Sequence, residues 1–109
     1  MTNLLHRQCK PLQGASMSEH EIQAHLNEVP GWHYANGAIE KTFAFKGWLE
    51  TVAFVDALAW MCHVEDHHPE LNVQFDRCRV RFSTHSAGGI SMNDFICAAK
   101  ADALVAFLG

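Results

Sequence analysis

The sequence predicts an α+β domain in which three helices pack on one face of a four-stranded antiparallel sheet, in the order α-β-β-α-β-β-α. Apolar residues recur at helical spacing in three long segments, and they alternate with polar residues in shorter segments joined by turn signals. Each segment has one apolar face, and a single sheet covered by helices on one side is the simplest way to bury all of these faces. A chain of 109 residues has room for one such domain.

The first half of the chain predicts a helix followed by a hairpin. Ser18 and Glu21 have the spacing of a capping box, and helically spaced apolar residues predict a helix over residues 18–29. Pro30-Gly31 ends this helix, and Asn36-Gly37 is the strongest hairpin signal in the chain. The strand after that turn alternates, with one set of side chains at Ile39, Lys41, Phe43 and Phe45 and the other at Glu40, Thr42 and Ala44.

The second half repeats this order of elements. A broad apolar face after Gly47 predicts a helix from Trp48 to about Glu65 or Asp66. Pro69 disfavours helical geometry at His68, so His67 and His68 are expected where the helix gives way to a loop or strand. A second hairpin with a turn at Asp76-Arg77 follows, and its alternating apolar residues are Leu71, Val73, Phe75, Val80 and Phe82, with Phe75 interpreted as a core strand residue. Ser91 and acidic Asp94 then begin the last helix.

Composition limits the classes of function. The net charge is −4, and the main concentration of cations is Arg77, Arg79 and Arg81, whose alternation predicts a solvated strand face. Direct nucleic-acid binding is disfavoured, since its affinity comes largely from a basic surface. No apolar run approaches the roughly 20 residues that span a bilayer, so we expect a soluble protein that does not enter a membrane.

The N-terminal segment of residues 1–17 has no clear periodicity and contains Pro11 and Gly14, so we expect a mobile arm that leaves residues 18–109 as the single domain. The segment lacks the apolar stretch of a signal peptide. Four cysteines lie far apart without a CxxC pair, at Cys9, Cys62, Cys78 and Cys97. These features favour reduced thiols and a cytoplasmic location.

Eight histidines are many for this length, and four of them lie at or beside the ends of predicted elements, at His63, His67, His68 and His85. Histidine exchanges protons near physiological pH, so such a cluster suits general acid-base catalysis. His63 and His67 are also four residues apart, a spacing used in zinc sites, but no further ligand pair completes a tetrahedral set. From the residues alone, proton transfer, metal binding and structural roles all remain open.

The spacing of residues between His63 and Asp94 is more specific. A polar residue at His63 is followed after three positions by His67-His68-Pro69, then by an aromatic residue at Phe75, by His85 and by Asp94. This arrangement resembles the signature of the pterin-4a-carbinolamine dehydratases. Over about residues 18–108 the wider context is similar too, in Pro30-Gly31-Trp32, Phe43-Ala44-Phe45, Asp66 to Glu70, Asn72-Val73 and Ser83-Thr84-His85. His63 is a departure, since many members have an acidic residue there.

The resemblance implies loss of the 4a-hydroxyl and the N5 proton from a hydroxytetrahydropterin, giving water and the quinonoid dihydropterin. It implies that His67 and His85 are general acids for opposite faces of C4a and that His68 positions the pterin. The residues expected to contact the substrate are Asp66, Pro69, Ser83, Thr84, Trp32 and His63. By itself, the sequence favours a core role for Trp32 and a helix N-terminal charge for Asp94.

No cofactor and no metal are expected. The resemblance implies a pterin substrate and a link to phenylalanine hydroxylase through the recycling of tetrahydrobiopterin-type cofactors. Exposed strand or helix edges favour a homo-oligomer, either a homodimer or a homotetramer. Two alternatives stay open, a non-catalytic oligomerising partner of another protein and a histidine-cluster metal-binding protein.

Overall fold

The computed structural model describes residues 4–10 and 16–108, and it confirms the predicted fold class and order of helices and strands. The elements are α1 (Glu19–Leu26), β1 (His33–Ala35), β2 (Ala38–Ala44), α2 (Trp48–Glu65), β3 (Glu70–Gln74), β4 (Arg77–Phe82) and α3 (Met92–Leu108). Two short 3-10 turns lie at Leu4–His6 and His85–Ala87. Among the described residues, no helix has the length and apolar character of a membrane span.

The four strands form one antiparallel sheet in the order β1-β2-β4-β3. Asn36 and Gly37 join β1 to β2 with φ angles of 51° and 82°, the left-handed geometry that a tight hairpin turn requires. Strand β4 lies between β2 and β3, so Arg81 is paired with Glu40 on one side and with Glu70 on the other. Because β4 is an inner strand, the residues that follow it leave from the middle of one end of the sheet.

One face of the sheet is buried against the helices and the other is polar. The buried side chains of the sheet are Ile39, Phe43, Cys78, Val80 and Phe82, and those of the helices include Ile22, Phe54, Leu58, Phe95 and Ile96. Arg77 and Arg79 are exposed on the opposite face, as their alternation predicts. Each fully buried Leu, Ile or Phe side chain contributes roughly 1.5–3 kcal/mol to folding, so this core is the main source of stability.

Two predicted boundaries are shifted. Helix α1 ends at Leu26 rather than at residue 29, and the second hairpin turns at Phe75 and Asp76 rather than at Asp76 and Arg77. Because Gln74 pairs with Arg77, only these two residues remain to make the turn. Phe75 is therefore not a core strand residue, and 67% of it is exposed.

The arm predicted for residues 1–17 is instead packed against the domain over residues 4–10. Leu4 is buried, and the Cys9 N–H donates to Glu65 Oε1 at 2.8 Å. The Lys10 N–H donates to Asn93 Oδ1 at 3.1 Å, and Asn93 Nδ2 donates to the Lys10 carbonyl at 2.7 Å. One apolar anchor and these polar contacts to α2 and α3 fix the segment without any periodic pattern. The rest of the predicted arm includes residues 1–3 and 11–15, which lie outside the described residues.

Candidate active site

The pair His67-His68 lies directly after the end of α2, as Pro69 predicts. Asp66 caps the helix in the left-handed conformation, with φ of 52°, and its N–H donates to the His63 carbonyl. The His67 N–H donates back to the Cys62 carbonyl at 3.1 Å. These bonds satisfy the last carbonyls of the helix and turn the chain, so the two histidines leave α2 in an extended segment that leads into β3.

His85 projects from a short closed loop after β4. The Thr84 N–H donates to the Gly89 carbonyl at 2.7 Å, and the Gly89 N–H returns a bond to the Thr84 carbonyl at 3.3 Å. Gly88 supports the closure with a φ of 73°, which a residue without Cβ adopts at little cost. The loop therefore holds His85 at a defined place beside the end of the sheet.

A buried carboxylate connects these two regions. Asp94 is 0% exposed, and its Oδ1 lies 2.6 Å from His67 Nε2. Its Oδ2 accepts from Thr84 Oγ1 at 2.8 Å and from the Ser91 N–H at 2.9 Å. The Thr84 and Ser91 hydroxyls also hydrogen-bond each other. A carboxylate removed from water needs several such partners, and Asp94 has them at both oxygens.

The helix N-terminal role expected of Asp94 is present, because it occupies the third position of α3 and accepts from Ser91, as in a capping box. The role that the sequence did not indicate is the bond to His67, across 27 positions of the chain. This bond makes Asp94 a site residue as well as a cap. The one available signal was its place at the end of the histidine signature.

The His67 ring is held on two sides. Its side chain is 10% exposed, and the ring stacks on Phe82 with centroids 6.0 Å apart and an interplanar angle of 16°. Within the described part of the chain, the Asp94 contact is the sole hydrogen bond to this ring. Because Asp94 occupies Nε2, Nδ1 is the ring nitrogen that remains available for proton exchange.

Two clefts adjoin this network. The first, here the histidine cleft, has a volume of about 390 Å³ and is lined by Asn36, Gly37, Ala38, His68, Pro69, Glu70, Arg81, Ser83 and His85. The second, here the N-terminal cleft, has a volume of about 340 Å³ and is lined by Cys9, Lys10, Val64, Glu65, Asp66, His67, Thr84, Ser86 and Asn93. Both clefts use residues of the same two segments, 66–69 and 83–86, so they lie on the two sides of one ridge.

The predicted site residues are divided by this ridge. His68, His85, Pro69 and Ser83 line the histidine cleft, and His67, Asp66 and Thr84 line the N-terminal cleft. Consecutive residues in extended chain point to opposite sides, which explains why His67 and His68 separate. Thr84 and His85 are divided in the same way, at the point where the 3-10 turn begins.

Trp32 and His63 line neither cleft. Trp32 is buried in the core, where its Nε1 donates to Asp102 Oδ2 at 3.1 Å and its ring lies 5.9 Å from that of Phe82. His63 lies on the exposed face of α2 against Trp60, with ring centroids 6.1 Å apart. His63 and His67 therefore do not face a common point. Among the described residues, no group of three or more His, Cys, Asp or Glu side chains is arranged to hold a metal ion.

Arg81 also belongs to the site, because it lines the histidine cleft. From the sequence we predicted only that it lies on a solvated strand face. Its side chain is 16% exposed, and its Nη2 donates to the carbonyls of Ala35 and Asn36 at 3.0 and 3.1 Å. Its Nε lies 3.1 Å from Glu40 Oε1. Arg81 thus fixes the β1–β2 turn at the rim of the histidine cleft. Only the strand register, which sets Arg81 between two glutamates, identifies this role.

A second buried carboxylate lies under the N-terminal cleft. Burial opposes the ionisation of Glu65, but the hydrogen bond from the Cys9 N–H and the Lys100 ammonium, 3.2 Å away, lower the pKa of this carboxyl below its usual value. Nearby, burial raises the pKa of the Cys62 thiol to about 12. Glu65 is therefore an anion at neutral pH, while Cys62 stays protonated.

Comparison with known proteins gives one consistent result. A family profile described as pterin 4 alpha carbinolamine dehydratase matches residues 15–104. A protein of Nitrosospira multiformis named "putative pterin-4-alpha-carbinolamine dehydratase" is 47% identical over 104 residues, covering 94% of this chain and 92% of its own length. A protein of Stenotrophomonas maltophilia with the same name is 50% identical over 105 residues, covering 93% and 90%.

Two solved structures are similar in fold. One, described as a transcriptional coactivator/pterin dehydratase from Brucella melitensis, has a TM-score of 0.78 at 30% identity and covers 82% of this chain and 97% of its own. The other is described as a pterin dehydratase-like protein that is a RuBisCO assembly factor in the alpha-carboxysome. It has a TM-score of 0.59 at 26% identity, and the match covers 68% of this chain and 88% of that one.

Proposed function

The chain belongs to the pterin-4a-carbinolamine dehydratase family, and we propose that it is a hydro-lyase that converts a 4a-hydroxytetrahydropterin to the quinonoid dihydropterin. The observation that carries this proposal is the position of the three signature histidines on one ridge, with His67 bonded to a buried carboxylate. The task in the cell is the recycling of a tetrahydrobiopterin-type cofactor. Where phenylalanine hydroxylase is present, its pterin product is the natural substrate.

The chemistry requires two proton transfers. Hydroxide is a poor leaving group, so the 4a-oxygen must be protonated as the C4a–O bond breaks. The N5 proton passes to a basic group or to water as the double bond between N5 and C4a forms, and the protonated 4a-oxygen leaves as water. Each positioned transfer of this kind typically gives about 100- to 10,000-fold. Imidazole is the side chain that both donates and accepts protons near physiological pH, so histidines suit this chemistry.

We assign one acid to His67. Its Nε2 faces Asp94 at 2.6 Å, so the carboxylate orients the ring and stabilises the imidazolium form. The proton on Nδ1 is then the one that is given to the departing oxygen. Phe82 holds the ring plane from the core side, and Trp32 supports Phe82 in turn. Asp94 acts through His67 and is a positioning residue.

We assign the second acid to His85, with His68 positioning the pterin beside it in the histidine cleft. In this assignment C4a lies at the ridge between the two clefts, and we place His67 and His85 at its opposite faces. Asp66 and Ser83 contact the pyrimidinone edge through backbone groups, and Pro69 contacts the ring plane. Thr84 already donates to Asp94, so its hydroxyl supports the acid, and Trp32 and His63 lie outside the contact surface.

We propose that the active form is a homodimer or homotetramer. Strand β3 is an edge strand, and all of its residues except Leu71 are exposed. Helix α2 also exposes apolar side chains, at Trp48, Leu49, Trp60 and Val64. An unpaired strand edge and an exposed apolar face are the usual features that subunit contacts cover. Light scattering on the purified protein measures the assembly directly, and a monomer at micromolar concentration would contradict this assignment.

A second candidate function is the binding of another protein. It is favoured by the two similar structures, one described as a transcriptional coactivator and the other as a RuBisCO assembly factor. The exposed α2 residues offer a surface for such a partner. The dehydratase assay separates the two functions, because a binding protein without catalysis leaves the decay of the pterin unchanged.

The test is the decay of a freshly generated 4a-hydroxytetrahydropterin, followed by absorbance with and without the purified protein. We expect acceleration in proportion to protein concentration and no change after treatment with a chelator. A decay rate equal to that in buffer would refute the proposed activity. Loss of the acceleration on chelation would instead support the metal-dependent alternative.

A further inference from the structure

Outside the proposed active site, two sulfur atoms that lie far apart in the sequence are neighbours. Cys9 Sγ lies 3.5 Å from Cys97 Sγ, although 88 positions separate the two residues. A disulfide bond needs about 2.05 Å between the sulfurs, so closing the pair takes a movement of about 1.5 Å. Cys9 belongs to the packed segment of residues 4–10, outside the helices and strands, so it can make this movement without breaking an element.

The surroundings hold Cys9 in place rather than leaving it on a loose terminus. Its N–H donates to Glu65 Oε1 at 2.8 Å, and its thiol donates to the Asn93 carbonyl at 3.6 Å. The next residue, Lys10, makes the reciprocal pair of bonds with Asn93. The two sulfurs are therefore held close together in the folded protein.

The two thiols differ in access. Cys9 is partly exposed, whereas Cys97 is 0% exposed. The hydrogen bond with Cys9 and burial both raise the pKa of the Cys97 thiol above its usual value. Cys62 is buried nearby, and Cys78 is buried in β4. A reagent in solution thus meets Cys9 first, and Cys97 is the residue placed to react with whatever forms there.

We propose that Cys9 and Cys97 are a thiol–disulfide site that a low-molecular-weight disulfide such as oxidised glutathione closes. The Cys9 thiolate attacks one sulfur of the oxidant, which breaks its S–S bond and releases one glutathione thiol. Cys97 then loses its proton and attacks Cys9 Sγ, which forms the Cys9–Cys97 bond and releases the second glutathione. Two protein thiols are oxidised, and one small disulfide is reduced to two thiols.

The bond ties the N-terminal segment to α3 at the wall of the N-terminal cleft. Cys9, Lys10 and Asn93 line that cleft together with His67. Closure therefore fixes part of the wall of the cleft that His67 also lines. A covalent loop that closes 88 positions raises the melting temperature by about 20 °C, since the unfolded chain loses conformational freedom.

The experiment treats the full chain with oxidised glutathione at pH 8, blocks the remaining thiols with N-ethylmaleimide and maps the peptides by mass spectrometry. We expect titratable thiols to fall from four to two, with a single Cys9–Cys97 link and the rise in melting temperature. Cys62→Ser is the matched control and should form the same Cys9–Cys97 link, with its titratable thiols falling from three to one. Cys9→Ser should form no internal disulfide.

Three results would overturn the proposal: a link that includes Cys62, a glutathione adduct that persists on Cys9 of the wild type, or four unchanged thiols. The wild-type map and the partly exposed Cys9→Ser variant decide the matter even if substitution of the buried Cys97 impairs folding. Cys97→Ser, where it folds, should retain glutathione on Cys9, because no second thiol resolves the adduct.

Discussion

Replacing Asp94 by asparagine tests the proposed role of the buried carboxylate while keeping its shape. The amide oxygen can take the place of Oδ2 and still accept from Thr84 Oγ1 and from the Ser91 N–H. The amide nitrogen then faces His67 Nε2, where a carboxylate oxygen stood at 2.6 Å. The ring loses its anionic partner and must present a lone pair at Nε2.

The expected loss follows from the bond that is removed. A hydrogen bond between charged groups contributes about 1.5–3 kcal/mol. If this contribution is made in the transition state, kcat/KM falls by roughly 10- to 150-fold, at about 1.4 kcal/mol per factor of ten. We expect the loss mainly in kcat, because Asp94 acts on the acid and does not contact the substrate.

Asp102→Asn is the matched control, since it makes the same chemical change on the same helix. Asp102 accepts from Trp32 Nε1 and pairs with Lys41 Nζ at 2.8 Å, away from both clefts. Both variants should lose some stability in urea unfolding, and only Asp94→Asn should lose turnover of the 4a-hydroxypterin. Equal turnover in Asp94→Asn and wild type would refute the assignment of Asp94 to His67, as would an equal loss in both variants.

Three further predictions concern binding, acid stability and the N-terminal segment. His68→Ala should raise KM more than it lowers kcat, as steady-state kinetics will measure, and a change in kcat alone would contradict a positioning role. Because folding lowers the pKa of Glu65, its stabilising contribution is complete above the unfolded value of about 4.3 and is lost as the pH falls through the lower folded value. Urea unfolding from pH 6 to 3 should therefore show less acid sensitivity in Glu65→Gln than in wild type, and equal slopes would count against it. Leu4→Ala should cost about 2–4 kcal/mol of unfolding free energy, since Leu4 is buried, whereas exposed Leu49→Ala should cost under about 0.5 kcal/mol.

Local signals in the sequence were sufficient for most of the fold. The capping box at Ser18 and Glu21 forms as predicted, and Asn36-Gly37 makes the first turn. The prediction that Phe75 is a core strand residue was wrong because the position of the turn depends on strand pairing, in which Gln74 pairs with Arg77. The packing of residues 4–10 was missed since a single buried leucine and hydrogen bonds to α2 and α3 leave no periodic trace.

For the candidate site, the sequence predicted where the histidines lie along the elements but not how the side chains are arranged around them. Pro69 correctly places the histidine pair after α2. His68 and His85 follow the ends of α2 and β4, and both line one cleft. The bond between His67 and Asp94 joins residues 27 positions apart, so it depends on how α3 packs beside the ridge. The sequence could have predicted that His67 and His68 face different clefts, because neighbouring residues in an extended chain point to opposite sides.

The most direct test of the whole account is the dehydration rate of the His67→Ala/His85→Ala double variant, measured beside the wild type from pH 6 to 9. We expect the 4a-hydroxypterin to decay no faster with the double variant than in buffer, while the circular dichroism spectrum of the variant stays that of the wild type. We also expect wild-type kcat/KM to fall as the pH rises, because the acid loses its proton. Full activity in the double variant, or a flat wild-type profile, would contradict histidine acid catalysis.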